Sequence, residues 1–203
     1  MDYLEGLFLG KLWSDTDFEN RRHTGLFILY GLFIDLVVLM IYFTGKQIPL
    51  ISGATTVHTV LLVVLTLATP FAACKYYRFP IWGKILVLAG MIYKNLIVVS
   101  MTVDFLLARI SIQSGDLMDA GINYLNSTLE KYTEKFYESA GTFSTVAGVV
   151  AGGVHVVFVF LLYAALALVV PGLIYLLYRL IQYAYDFVMA RLVIRKFLVR
   201  RRK

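Results

Sequence analysis

The chain has 203 residues, of which 60% are hydrophobic and 16% charged. A soluble globular domain is about 45–50% apolar and about 25% charged, so this composition excludes an ordinary soluble fold and points to a membrane protein. The net charge of +6 does not indicate nucleic acid, because much of it gathers after the last apolar run, where anionic lipid headgroups are the natural counter-charge.

Backbone that crosses a bilayer must satisfy its own hydrogen bonds, which leaves helices or a closed barrel. Barrel strands alternate apolar and polar residues over about ten positions. The apolar runs here show no such alternation, so the expected fold is all-α. The one cysteine, Cys74, cannot form an intrachain disulfide and reads as a small hydrophobe.

In chain order, residues 1–13 place Leu4, Leu7, Phe8, Leu9, Leu12 and Trp13 in a short amphipathic stretch. It either lies in the membrane interface or packs on the rest of the protein. Asp2 and Glu5 near its start argue against a cleavable signal. Ser14 reads as an N-cap, with Asp15 and Asp17 in the first turn, where the helix dipole favours acid.

A first span is expected over residues 24–43. Gly45, Pro49 and Gly53 then mark a turn. A second span covers 55–73, with Pro70 near its end, and a basic turn carries Lys75 and Arg78. A third covers 81–108. Residues 111–143 form the one sizeable polar segment. Within it Met118, Ile122, Leu125, Leu129, Tyr132 and Phe136 recur at helical spacing, a stripe that needs a cover. Pro171-Gly172 interrupts the last apolar run.

Two crossings fit that last run by length, and charge favours one. With the N-terminus inside, fourteen basic residues fall on the inner side and four on the outer, Lys94 being the nineteenth. A fifth span would put the basic cluster outside. The expected architecture is therefore a single integral membrane domain with both termini cytoplasmic. It comprises an amphipathic N-terminus (1–23), three spans (24–110), an outer amphipathic segment (111–143), a fourth span (144–178) and a basic cytoplasmic helix (179–203). Arg195, Lys196, Arg200, Arg201, Arg202 and Lys203 are the expected contacts to anionic headgroups. Asn126-Ser127-Thr128 matches a glycosylation sequon on the outer side, a pattern common by chance.

Two ionisable residues fall inside apolar runs: Asp35 and Lys94. A charge at mid-bilayer costs roughly 2.5–3.5 kcal/mol, so each is expected to face protein or water with a partner. Counted from the helix starts at 1.5 Å per residue, both lie about 17–20 Å from the inner boundary. They are expected at matched depth on parallel spans. As a buried pair they would fix helix registry; as a hydrated pair they would line an ion or proton path.

Ala147, Gly148, Ala151 and Gly152 give small-xxx-small spacing, which invites close helix packing. His58 and His155 offer a third reading, as axial ligands of a b-type haem, with Gly152-Gly153 admitting a flat ring. The blander alternative is that each histidine hydrogen-bonds across helices. The sequence contains no GxxxxGK[ST], GxSxG, HExxH or CxxC motif, so neither an enzyme nor a cofactor is expected. The function these features favour is a small membrane subunit of a larger secretion, conjugation or energy-transducing assembly. Its partners would be other membrane subunits or further copies of itself.

Overall fold

A computed structural model of the protein describes residues 2–10, 12–14, 24–49, 51–110 and 113–198. Lys11, Asp15, Asp17, Arg21, Arg22 and His23 lie outside the described residues, as do Arg200, Arg201, Arg202, Lys203 and the side chains of Arg195 and Lys196.

The protein is all-helical. Among the described residues six α-helices follow in order: α1 (Asp2–Leu9), α2 (Thr24–Thr44), α3 (Thr56–Ala73), α4 (Ile81–Leu107), α5 (Leu117–Ala140) and α6 (Ser144–Met189). A π-helical segment, Ala190–Leu198, continues α6. No strand occurs among the described residues. Four helices are long and apolar enough to cross a membrane, in the windows Gly25–Thr44, Thr56–Ala73, Ile81–Leu107 and Gly141–Ile194. Such helices mark a membrane-embedded protein.

The chain divides into two compact units, Met1–Leu107 with Pro171–Lys203, and Ala108–Val170. In the first, α2 is apolar around most of its circumference, Asp35 excepted. Ile34, Val37, Val38 and Ile41 turn inward onto Val99 and Val103 of α4. Leu29, Leu32, Leu36 and Leu39 face outward, as lipid-facing residues do. The α2–α3 loop closes on the C-terminal end of α4, where the Asp104 carboxylate accepts Gly53 N–H at 3.0 Å and Ala54 N–H at 2.5 Å. Gly53 takes φ +85°, a backbone conformation that favours glycine.

Helix α3 opens on Thr55. The His58 ring sits one turn in and accepts Thr55 N–H at Nδ1, 3.2 Å. Pro70 lies inside the helix and lacks an N–H, yet α3 continues to Ala73, and Cys74 N–H bonds Pro70 O at 3.1 Å. Helix α1 packs on the α3–α4 turn. Its Leu9 is buried with Ala73 and Tyr76, flanked by Trp13, Val87 and Leu88. Of the two placements open to the N-terminal stretch, the packed one is adopted.

In the second unit α5 runs back along α6 after a turn at Gly141, φ +54°. Gly148 and Gly152 face α5 at close range. A Cβ on Gly148 would stand 2.5 Å from Thr133 Cα, and one on Gly152 2.9 Å from Leu129 Cδ2. Tyr132 lies against His155, ring centroids 5.4 Å apart. The small-residue face and the C-terminal half of the α5 stripe therefore cover one another.

Candidate functional site

Lys94, on α4, is 3% exposed. Its Nζ donates to Thr69 Oγ1 of α3 at 2.9 Å and to Gln182 Oε1 of α6 at 3.2 Å. Gln182 Nε2 in turn donates to Asp186 Oδ1 at 2.7 Å. Gln182 and Asp186 are four residues apart and so share one helix face. Tyr178 completes that face, with Lys94 Nζ 5.9 Å from its ring centroid, within cation–π range. Lys94 feels the charges of both Asp186 and Arg179. A buried ammonium is thus held by one hydroxyl and one amide, with a carboxylate behind the amide.

Beside this cluster lies a cavity of about 570 Å³, walled by α1, the start of α2, α3, α4 and the C-terminal part of α6. Its polar wall carries Lys94, Asn95, Arg179, Gln182 and Asp186, and its apolar wall includes Leu9, Leu26, Phe27 and Leu180. A volume of this order accommodates a drug-sized or single-chain molecule. Arg179 Nη1 donates to Leu7 O at 2.7 Å, which ties α1 to α6. Its guanidinium lies 5.5 Å from the Tyr175 ring centroid, and Tyr175 stacks on Tyr30 at 4.5 Å. Gly172 abuts the Phe27 ring, so α6 comes close to α2 at this level.

Among the described residues two buried polar atoms near the cavity, Tyr178 Oη and Trp13 Nε1, lack a well-formed hydrogen bond. Thr66 offers the first a weak partner and Asp186 the second. At the foot of α1, Tyr76 Oη donates to Glu5 Oε1 at 3.1 Å. Burial first, and the Glu5 carboxylate second, push the Tyr76 hydroxyl up to about 12, so α1 keeps this anchor through neutral pH. Burial also raises the Cys74 thiol above its ordinary value.

Asp35 and Lys94 are not brought together. Asp35 is half-buried and joins no hydrogen bond or ion pair among the described residues. The expectation of matched depth fails on helix register. The inward face of α2 lies against Val99 and Val103, about one and a half to two and a half turns beyond Lys94. Counting from helix starts assumed level starts, whereas α4 begins further toward the end of the unit that carries α1. The carboxylate that accompanies Lys94 is Asp186, 92 positions along the chain.

His58 is engaged with Thr55, whose Oγ1 is 2.8 Å from Nδ1, and His155 lies on Tyr132. Along the α5 stripe, Leu129, Tyr132 and Phe136 are half-buried, whereas Met118, Ile122 and Leu125 are 75%, 44% and 42% exposed. Ala147 and Ala151 flank the glycine face, half-buried. Sequence reasoning missed Gln182, Asp186 and Arg179. The available signal was the recurrence of Tyr175, Tyr178/Arg179, Gln182 and Asp186 at three- and four-residue spacing, polar residues on one face of an apolar helix. No group of three or more His, Cys, Asp or Glu able to hold a metal occurs among the described residues.

Chemically, the cluster offers hydrogen-bond donors and positive charge at the floor of a mostly apolar chamber. That arrangement suits recognition of an anionic or strongly accepting group. Comparison of the chain with protein-family models, curated proteins and solved structures gives no match.

Proposed function

We propose that the protein is an integral membrane subunit of a larger assembly, joined to its neighbours through α5. In this reading both termini are cytoplasmic, in keeping with the positive-inside charge count. The basic residues from Arg195 to the C-terminus then meet anionic headgroups. The observation that carries the reading is the uncovered half of the α5 stripe. Helix α6 covers the stripe only toward its C-terminal end. Met118, Ile122 and Leu125 stay exposed on a helix that is too polar to sit in hydrocarbon, carrying Asp119, Glu130, Lys131, Glu134 and Lys135. An apolar stripe on a polar helix is stabilised by a protein partner.

The test is photo-cross-linking in native membranes, with a benzophenone maleimide on Met118→Cys or Leu125→Cys in a Cys74→Ser background. Adducts of discrete mass are expected from both positions. None is expected from Val157→Cys, an outward-facing position in the apolar part of α6. A purified particle of one chain's mass, with no adduct at 118 or 125, would defeat the reading.

A further inference from the structure

We propose that the cavity beside Lys94 binds a single-chain amphiphile with an acidic head. Lys94 and Arg179 hold the head, and the chain lies on Leu9, Leu26, Phe27 and Leu180. The inference does not depend on the assembly reading.

Three observations carry it. The first is charge. Among the described residues two cations, Lys94 and Arg179, line the cavity with one carboxylate, Asp186. A purely structural ion pair balances its charges, because an unbalanced buried charge is costly. A second cation beside a buried lysine adds to that cost, and an anionic guest removes it.

The second is unused donor capacity. An ammonium has three N–H donors and, among the described residues, Lys94 spends two, on Thr69 and Gln182. A guanidinium has five, and among the described residues Arg179 spends one on Leu7 O. Both cationic residues line the same cavity, and a carboxylate or phosphate oxygen accepts several donors at once.

The third is the rest of the wall. Apart from the polar face, the chamber is lined by aliphatic and aromatic side chains, and its volume of about 570 Å³ suits one chain rather than a whole two-chain lipid. A small hydrophilic anion would leave that apolar surface to water. An uncharged chain would leave the cations unanswered. Only a molecule with both parts satisfies both walls.

The experiment uses the full chain in phosphatidylcholine nanodiscs with three radiolabelled probes: oleate, oleyl phosphate and oleyl alcohol. Both acids are expected to saturate at one per chain and to displace one another. The alcohol is expected to bind at least tenfold more weakly. Tighter binding of one acid identifies the head as carboxylate or phosphate. Lys94→Met should weaken the acids at least tenfold and leave the alcohol unchanged, a selectivity that mere structural damage would not produce. Leu26→Trp fills the apolar wall and should abolish binding of all three. If Lys94→Met does not fold, judged by thermal unfolding and elution, the wild-type comparison and Leu26→Trp decide. Equal binding of acid and alcohol, no saturable binding, or acid binding unmoved by Leu26→Trp overturns the proposal.

Discussion

A methyl group at position 148 has nowhere to go. The Cβ of an alanine there would meet Thr133 at its backbone, including Cα at 2.5 Å, and backbone yields only if α5 moves off α6. Overpacking of this kind typically costs about 1–3 kcal/mol. Gly153, one residue past the contact face, has nothing within 4 Å of the same added atom. Alanine there gains helix propensity of up to about 1 kcal/mol. Gly148→Ala should therefore lower, and Gly153→Ala hold or raise, the thermal unfolding midpoint of the detergent-solubilised protein. The pair separates close packing from a general intolerance of change in the helix. The glycine spacing was legible in the sequence because small-xxx-small is a local pattern. The partners of Lys94 were not. Its cost in lipid could be read from one residue, whereas Thr69 and Gln182 reach it only through the register of three helices, which packing sets over 25 and 88 residues of separation.

Helices α2, α3 and α4 begin and end within a residue or so of their hydropathy boundaries, because a membrane core demands unbroken apolar length and the turns between them carry Gly and Pro. Pro171 shows where that logic stops. It lies inside α6 and is buried, so the helix passes through a residue that would break many soluble helices. A close neighbour, Phe27 against Gly172, supports the chain there. Asp104 acts between elements. From the end of α4 it accepts two N–H groups of the α2–α3 loop and fastens that loop to α4. Asp104→Ala leaves both amides to water. Because the site is partly exposed, the loss is about 1 kcal/mol rather than the full cost of buried unpaired donors. Hydrogen exchange at Gly53 and Ala54 should accelerate at least tenfold, with amides in the middle of α4 unchanged. Unaltered exchange at the loop would show that Asp104 does not hold it.

For the molecule as a whole, the open question is direction. Helix α6 has 46 residues where a single crossing needs about 20, so length does not say how often it meets the membrane. The proposed orientation takes one crossing, because a second within the last run would carry the terminal arginines to the side with few basic residues. In a Cys74→Ser background, Ser127→Cys should react with a membrane-impermeant maleimide on intact cells, and Lys75→Cys should react only after permeabilisation. A C-terminal tag should survive external trypsin. Labelling in the reverse order, or loss of the tag, would invert or add a crossing. The sequence alone conveyed the long apolar helices and the charge asymmetry because both are sums over residues. It did not convey the cavity, which no single segment contains.

The bond from Arg179 to Leu7 O joins residues 172 positions apart. During synthesis α1 emerges well before this partner is made. The Glu5–Tyr76 contact can form early, while the wall that Arg179 supplies cannot. Helix α1 is thus fully seated only after α6 has been made, and the cavity beside Lys94 gains its last wall at the same moment.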